Sequence, residues 1–151
     1  MKIVFSFLSL FYIASIFILA GSPVAHKLSQ FNPYSLLHIP LYGILTLLLV
    51  LSIVPIPRGF NVRSIQPGSD SARPRSWGTA GLRARLFVAG VIALVVGIFD
   101  EIHQLSVPGR EGSAGDVVLD AVGIAIALLL YLWFFKTQFL HKRTIQQRLR
   151  P

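Results

Sequence analysis

Four apolar runs, residues 3–20, 34–54, 86–105 and 117–135, constrain this chain more than anything else in it. Each is about 18–21 residues long, enough at ~1.5 Å per residue to cross a hydrocarbon core of roughly 30 Å. Backbone amides in lipid have no water to bond, so each run must satisfy its own hydrogen bonds and be a helix rather than an open strand. A soluble helical bundle would need polar outer faces, and these runs are apolar nearly all round. The expectation is an all-α protein, a four-helix transmembrane bundle forming a single domain over residues 1–151. Composition agrees. Hydrophobic residues make up 54% of the chain, charged residues only 13%, and the mean hydropathy is +0.68, far from a soluble domain's balance.

The charges fix an orientation. Lys2 precedes the first run, Arg58, Arg63, Arg73, Arg75, Arg83 and Arg85 fill the connection 55–85, and Lys136, Lys142, Arg143, Arg148 and Arg150 occupy the tail 136–151. With four spans these segments share one side, leaving only Lys27 and Arg110 for the other. The positive-inside rule then puts both termini, the basic loop and the basic tail in the cytoplasm, as in a multi-pass protein of the inner (cytoplasmic) membrane. The formal charge of +8 is therefore topogenic, with some attraction to anionic lipid, and no nucleic-acid partner is expected. The first run, preceded by one Lys and longer than a usual signal-peptide core, reads as an uncleaved anchor. No Cys is present, which excludes disulfides, thiolate metal sites and Cys nucleophiles. Residues 55–76, rich in Pro, Gly, Ser and Arg, read as a loop, and the tail after Phe135 as a short basic helix at the inner interface.

Every acidic residue except Asp70 falls within residues 100–120, where the third and fourth runs meet. The purely apolar part of the third run, 86–99, is about 14 residues or roughly 21 Å of helix, too short to cross alone. Asp100, Glu101, His103 and Gln104 must complete that span. Asp100 lies five residues before Leu105, Asp120 five after Gly115 and His38 five after Pro33, each roughly 7 Å along a helix. Three helices thus bring an ionisable group to one depth on one side. Asp100, His103 and Gln104 stand at i, i+3 and i+4 and share a face, with Glu101 turned about 100° away. Asp116 and Asp120 form a stripe continued by the small residues Gly123 and Ala127, and Tyr34, His38, Tyr42 and Thr46 form a polar stripe on the second helix. A carboxylate within a span costs ~2.5–3.5 kcal/mol on insertion scales, so Asp100 and Asp120 require partners. Pairing of Asp120 with His38, His103 or Arg110 is the simplest remedy, and would give a group competent in acid–base chemistry. Plainer roles compete. Ser113-x-x-Asp116 is a capping-box pattern, Pro108-Gly109 a turn, Arg110 and Glu111 a solvated pair, and Glu101 a candidate to snorkel outward.

Asp-Glu-Ile-His-Gln at 100–104, Val-Pro-Gly-Arg at 107–110, then Gly112, Ser113, Asp116, Asp120 and Gly123, resemble the signature of the VanZ-like membrane proteins. His38 with Tyr42 is similar to that family's upstream His-x-x-x-Tyr element. The resemblance runs from about residue 34 to 130 and agrees with the four-helix layout, with the Arg-rich connection as a peripheral insertion. It implies a role in the bacterial cell envelope. The name-giving member of the family is associated with low-level resistance to the glycopeptide teicoplanin, so a link to antibiotic resistance is part of what the resemblance implies.

Two functional classes stay open on the sequence. In the first, a polar pocket at the outer face holds a lipid headgroup, a lipid-linked cell-wall precursor or a glycopeptide-like ligand. Tyr42, Glu101, Gln104, Arg110, Ser113 and Asp116 are then its ligand-binding residues, membrane lipids its partners, and the Arg110 guanidinium meets an anionic group. In the second, a membrane-embedded hydrolase or transferase acts on a lipid-linked envelope substrate. His38 or His103 is the base, Asp100 or Asp120 orients it, and Arg110 steadies developing negative charge. No Ser or Cys nucleophile motif is present, so water or a substrate hydroxyl would attack. No cofactor is expected, since a divalent metal among Asp100, Glu101, His103, Asp116 and Asp120 has only one Asp-x-x-His spacing in its favour. A proton-coupled transporter fits least, because the inner halves of the runs are apolar and offer no path.

Overall fold

The computed structural model describes residues 2–22, 34–54, 79–108 and 112–148. Among them are four α-helices: α1 (Lys2–Ala20), α2 (His38–Ile53), entered through a 3-10 turn at Tyr34–Leu37, α3 (Thr79–Gln104) and α4 (Ala114–Arg148). Each contains a stretch long and apolar enough to cross a membrane: Lys2–Ala20, Ser35–Ile53, Ala80–Gln104 and Ala114–Phe134. The chain is an all-helical, multi-pass membrane protein.

Two boundaries differ from the sequence reading. Residues 79–85, assigned there to the basic loop, form the first turns of α3. Ala, Leu and Arg favour a helix, with Arg83 exposed and Arg85 partly buried in these first turns. Arg85 Nη1 donates to the Ile53 carbonyl at 2.9 Å, meeting one of the acceptors that the last turn of α2 leaves open. At the other boundary, α4 starts at Ala114 rather than Val117 and continues without a break to Arg148. The basic tail is therefore a prolongation of the fourth helix rather than a separate one. The remainder of the 55–78 connection lies outside the described residues.

Helix α2 is the centre of the bundle, packed against α1, α3 and α4. Its Tyr42, Leu45, Thr46 and Val50 are completely buried, with Ile16, Leu86, Ala89, Ala93 and Ile124 closing the core around it. Large apolar side chains such as Phe11, Phe87, Phe99, Leu129 and Trp133 face outward, the arrangement expected where lipid rather than water is the solvent. Hydroxyls within the spans bond back to the preceding turn: Ser9 to Phe5, Ser15 to Phe11 and Thr46 to Tyr42, at 2.7–2.8 Å. The Tyr12 hydroxyl donates across to the Leu41 carbonyl at 3.2 Å and ties α1 to α2.

The crossing of α2 and α4 is the contact that positions the site. A Cβ at Gly123 would collide with the backbone carbonyl of Ile39, and one at Gly43 would sit 3.4 Å from the Gly123 carbonyl oxygen. The two backbones thus touch directly, which only small residues permit. One turn before Gly123 stands Asp120; one residue before Ile39 stands His38. Pro40, in the first turn of α2, lacks an amide hydrogen where one is least needed.

Candidate functional site

The end of α1, the start of α2, the end of α3 and the start of α4 meet at one end of the bundle. There His38 Nδ1 lies 2.8 Å from Asp120 Oδ1, a hydrogen bond between a side chain 4% exposed and one that is completely buried. Glu101 Oε1 is 4.0 Å from the same ring nitrogen, and Asp116 Oδ2 is 3.8 Å from Nε2 on the far side of the ring. The Tyr42 ring stacks on the imidazole at 6.2 Å between centroids and 11° between planes. His38 is thus held by Asp120 at one ring nitrogen and by the Tyr42 ring on its face, with the Asp116 carboxylate near the other nitrogen but beyond direct hydrogen-bond reach. Which nitrogen carries the proton is set by these partners: bonding to Asp120 favours a proton on Nδ1.

Helix α3 supplies the opposite wall. The Gln104 amide donates to Asp100 Oδ2 at 3.0 Å and to Glu101 Oε1 at 3.5 Å. Asp100, Glu101 and Gln104 are all buried. This corrects the helical-wheel expectation, which turned Glu101 away and grouped His103 with Asp100. His103 instead packs edge-on against Phe17 of α1, centroids 5.6 Å apart, and makes no contact with the His38 group. Periodicity gives angles about one helix but not where the neighbouring elements stand: Glu101 lies about 60° from Gln104 on α3, and its Oε2 accepts the backbone N–H of Ser113 at 2.7 Å.

That bond also settles the start of α4. Ser113 is its N-cap, with Oγ accepting the Gly115 N–H at 3.1 Å. In a capping box the acid three residues on would accept the cap's own N–H. Here Glu101 from α3 takes that place, and Asp116 turns to His38.

Of the residues the sequence singled out, the structure therefore gathers His38, Tyr42, Asp100, Glu101, Gln104, Asp116 and Asp120, with Ser113 joined through its backbone. His103 stands apart, and Arg110 lies outside the described residues. Sequence reasoning missed Gly97. A Cβ there would fall 2.5 Å from Asp120 Oδ2 and 3.3 Å from the Tyr42 ring, so the glycine leaves the space the carboxylate fills. A glycine one helical turn before Asp100, in an otherwise bulky apolar run, was the available signal.

Beside this cluster is a cavity of about 40 Å³ lined by Ile16, Leu19 and Ala20 of α1, His38 and Leu41 of α2, and Asp100 and Gln104 of α3. One wall is apolar and the other carries hydrogen-bonding groups. Neither a curated protein nor a solved structure matches the chain. A sequence profile described as VanZ/LLP1 matches residues 5–135, so it takes in all four membrane-crossing helices and every residue of the His38 cluster. By that match the chain belongs to the VanZ/LLP1 family.

Proposed function

We propose that this protein sits in the cytoplasmic membrane of a bacterium and holds the polar head of an amphiphilic envelope molecule at the outer end of its bundle. The candidates are a membrane lipid, a lipid-linked cell-wall precursor or a glycopeptide-like molecule. The observation that carries the reading is the two-sided cavity. About 40 Å³ admits only a small group, so Ile16, Leu19, Ala20 and Leu41 would meet the first carbons of a stem whose remainder lies in the lipid, while His38, Asp100 and Gln104 would meet a hydroxyl or amine at its end. Asp100 is the one carboxylate on that polar side, with Glu101, Asp116 and Asp120 around His38 beside it, so hydroxyl and ammonium donors are better met there than bare phosphate. A contribution to glycopeptide tolerance is expected where the head belongs to such an antibiotic or to its precursor target.

Native mass spectrometry from nanodiscs of mixed ethanolamine and glycerol phospholipids tests this. The wild type should retain ethanolamine lipids preferentially, and Ala20→Phe, which fills the cavity, should lose that preference. Equal retention of both lipids by both proteins would sink the reading.

The His38–Asp120 pair favours a second reading, a hydrolase or transferase acting on a lipid-linked substrate. A buried carboxylate at 2.8 Å from one ring nitrogen is how an imidazole is oriented for proton transfer from the other. Profiles of envelope lipids and muropeptides from cells with wild type and with Asp120→Asn separate the two. A species that accumulates or disappears in the variant supports catalysis, and matching profiles support binding alone.

A further inference from the structure

The charges of the His38 cluster do not balance among the described residues. Among the described residues, His38 is the one basic group in contact with Glu101, Asp116 and Asp120. Even a protonated imidazole would leave negative charge in excess inside a membrane-spanning bundle, where unpaired charge is costly. Asp120 sharpens the deficit. Its side chain is completely buried, one oxygen is bonded to His38, and the other, Oδ2, has no hydrogen-bond partner among the described residues. Gly97 makes room for that oxygen, so the fold holds the carboxylate in place rather than pushing it aside.

The geometry points to a divalent transition-metal site formed by His38, Glu101 and Asp120. One ligand atom from each of the three, all buried, lies within 4.8 Å of the others. Two of those separations are 2.8 Å, from Nδ1 to Asp120, and 4.0 Å, from Nδ1 to Glu101. Donors around a tetrahedral ion at ~2.1 Å stand about 3.4 Å from one another, between the two observed values. Acceptors around an ammonium nitrogen at ~2.8 Å stand about 4.6 Å apart, wider than either. The set therefore fits a compact ion better than a headgroup amine. One imidazole nitrogen with two carboxylates favours zinc, cobalt or manganese over magnesium or calcium, which prefer oxygen alone. Nδ1 must give up its proton to bind, and Nε2 then carries it toward Asp116, the outer carboxylate that would orient the ligating ring. The Ser113 N–H and the Gln104 amide already hold Glu101 in position.

A metal here is independent of the headgroup reading, and no lipid ligand is needed to detect it. Full-length protein in detergent, stripped with chelator, is titrated with Co²⁺ and Zn²⁺. The wild type should take up one Co²⁺ per chain with visible d–d absorption, and Zn²⁺ should raise its melting temperature by several degrees. Glu101→Gln keeps the acceptor for Ser113 and should fold, yet lose at least tenfold in Co²⁺ affinity. Gly81→Ala, with nothing within 4 Å of the new methyl, should bind the metal as the wild type does. Absence of any Co²⁺ spectrum or Zn²⁺ shift in the wild type overturns the proposal, as does an unchanged response in Glu101→Gln. Either failure leaves the lipid-retention result standing on its own.

Discussion

At the scale of single residues, the site depends on what two positions lack. Gly97 has no side chain, and Asp120 fills that space; Ser113 receives no help from Asp116, because Glu101 has taken the acceptor role. Gly97→Ala would place a methyl 2.5 Å from Asp120 Oδ2 and should destabilise the protein by about 1–3 kcal/mol, the usual range for overpacking. Gly90 is the comparison. Its Cβ would meet the Leu128 Cδ1 methyl at 3.2 Å, which can move, and Ile124 Cγ2 at an ordinary 3.6 Å, so Gly90→Ala should change stability by less than about 1 kcal/mol. Thermal unfolding in detergent reads both. Equal losses for the two variants would mean that the Asp120 carboxylate is not confined as described.

At the scale of helices, the contact between α2 and α4 sets the register of the site. The meeting of His38 and Asp120 results from two backbones touching at Ile39 and Gly123, since one helical turn converts that crossing into a side-chain pair. A Cβ at Gly123 has a rigid carbonyl in its way, not a flexible side chain. Gly123→Ala should therefore separate the helices, cost roughly 3 kcal/mol or more, and abolish the metal response along with the pair. Gly81→Ala, with nothing within 4 Å of the new methyl, should be neutral or slightly stabilising, by up to ~1 kcal/mol. A Gly123→Ala protein that melts with the wild type would contradict this account of the crossing. The polar stripe on α2 and the small residues on α4 made the contact legible in the sequence. The wheel argument failed for Glu101 and His103 because it gives angles about one helix, while their partners, Ser113 and Phe17, belong to other elements.

At the scale of the whole molecule, the two ends of the bundle differ in sign. Lys2, Arg83 and Arg85 lie at the end where α2 finishes and α3 begins; the acidic cluster lies at the other. Placing the basic end in the cytoplasm predicts that a fluorescent reporter fused after Pro151 matures and glows. An export-dependent phosphatase inserted after Pro108 should be active. The reverse pattern would invert the molecule and move the cavity to the inner face.

Hydropathy, charge placement and the crowding of acids near residue 100 are matters of local composition, and they were enough to determine a four-helix membrane bundle with ionisable groups at one end. Which of those groups meet was decided by distances across helices. The backbone contact at Gly123 brings Asp120 to His38, Gly97 admits its carboxylate, the Ser113 amide bonds Glu101, and His103 packs on Phe17. Such contacts depend on a few tenths of an ångström between segments far apart in the chain, and one-dimensional periodicity carries no such distance.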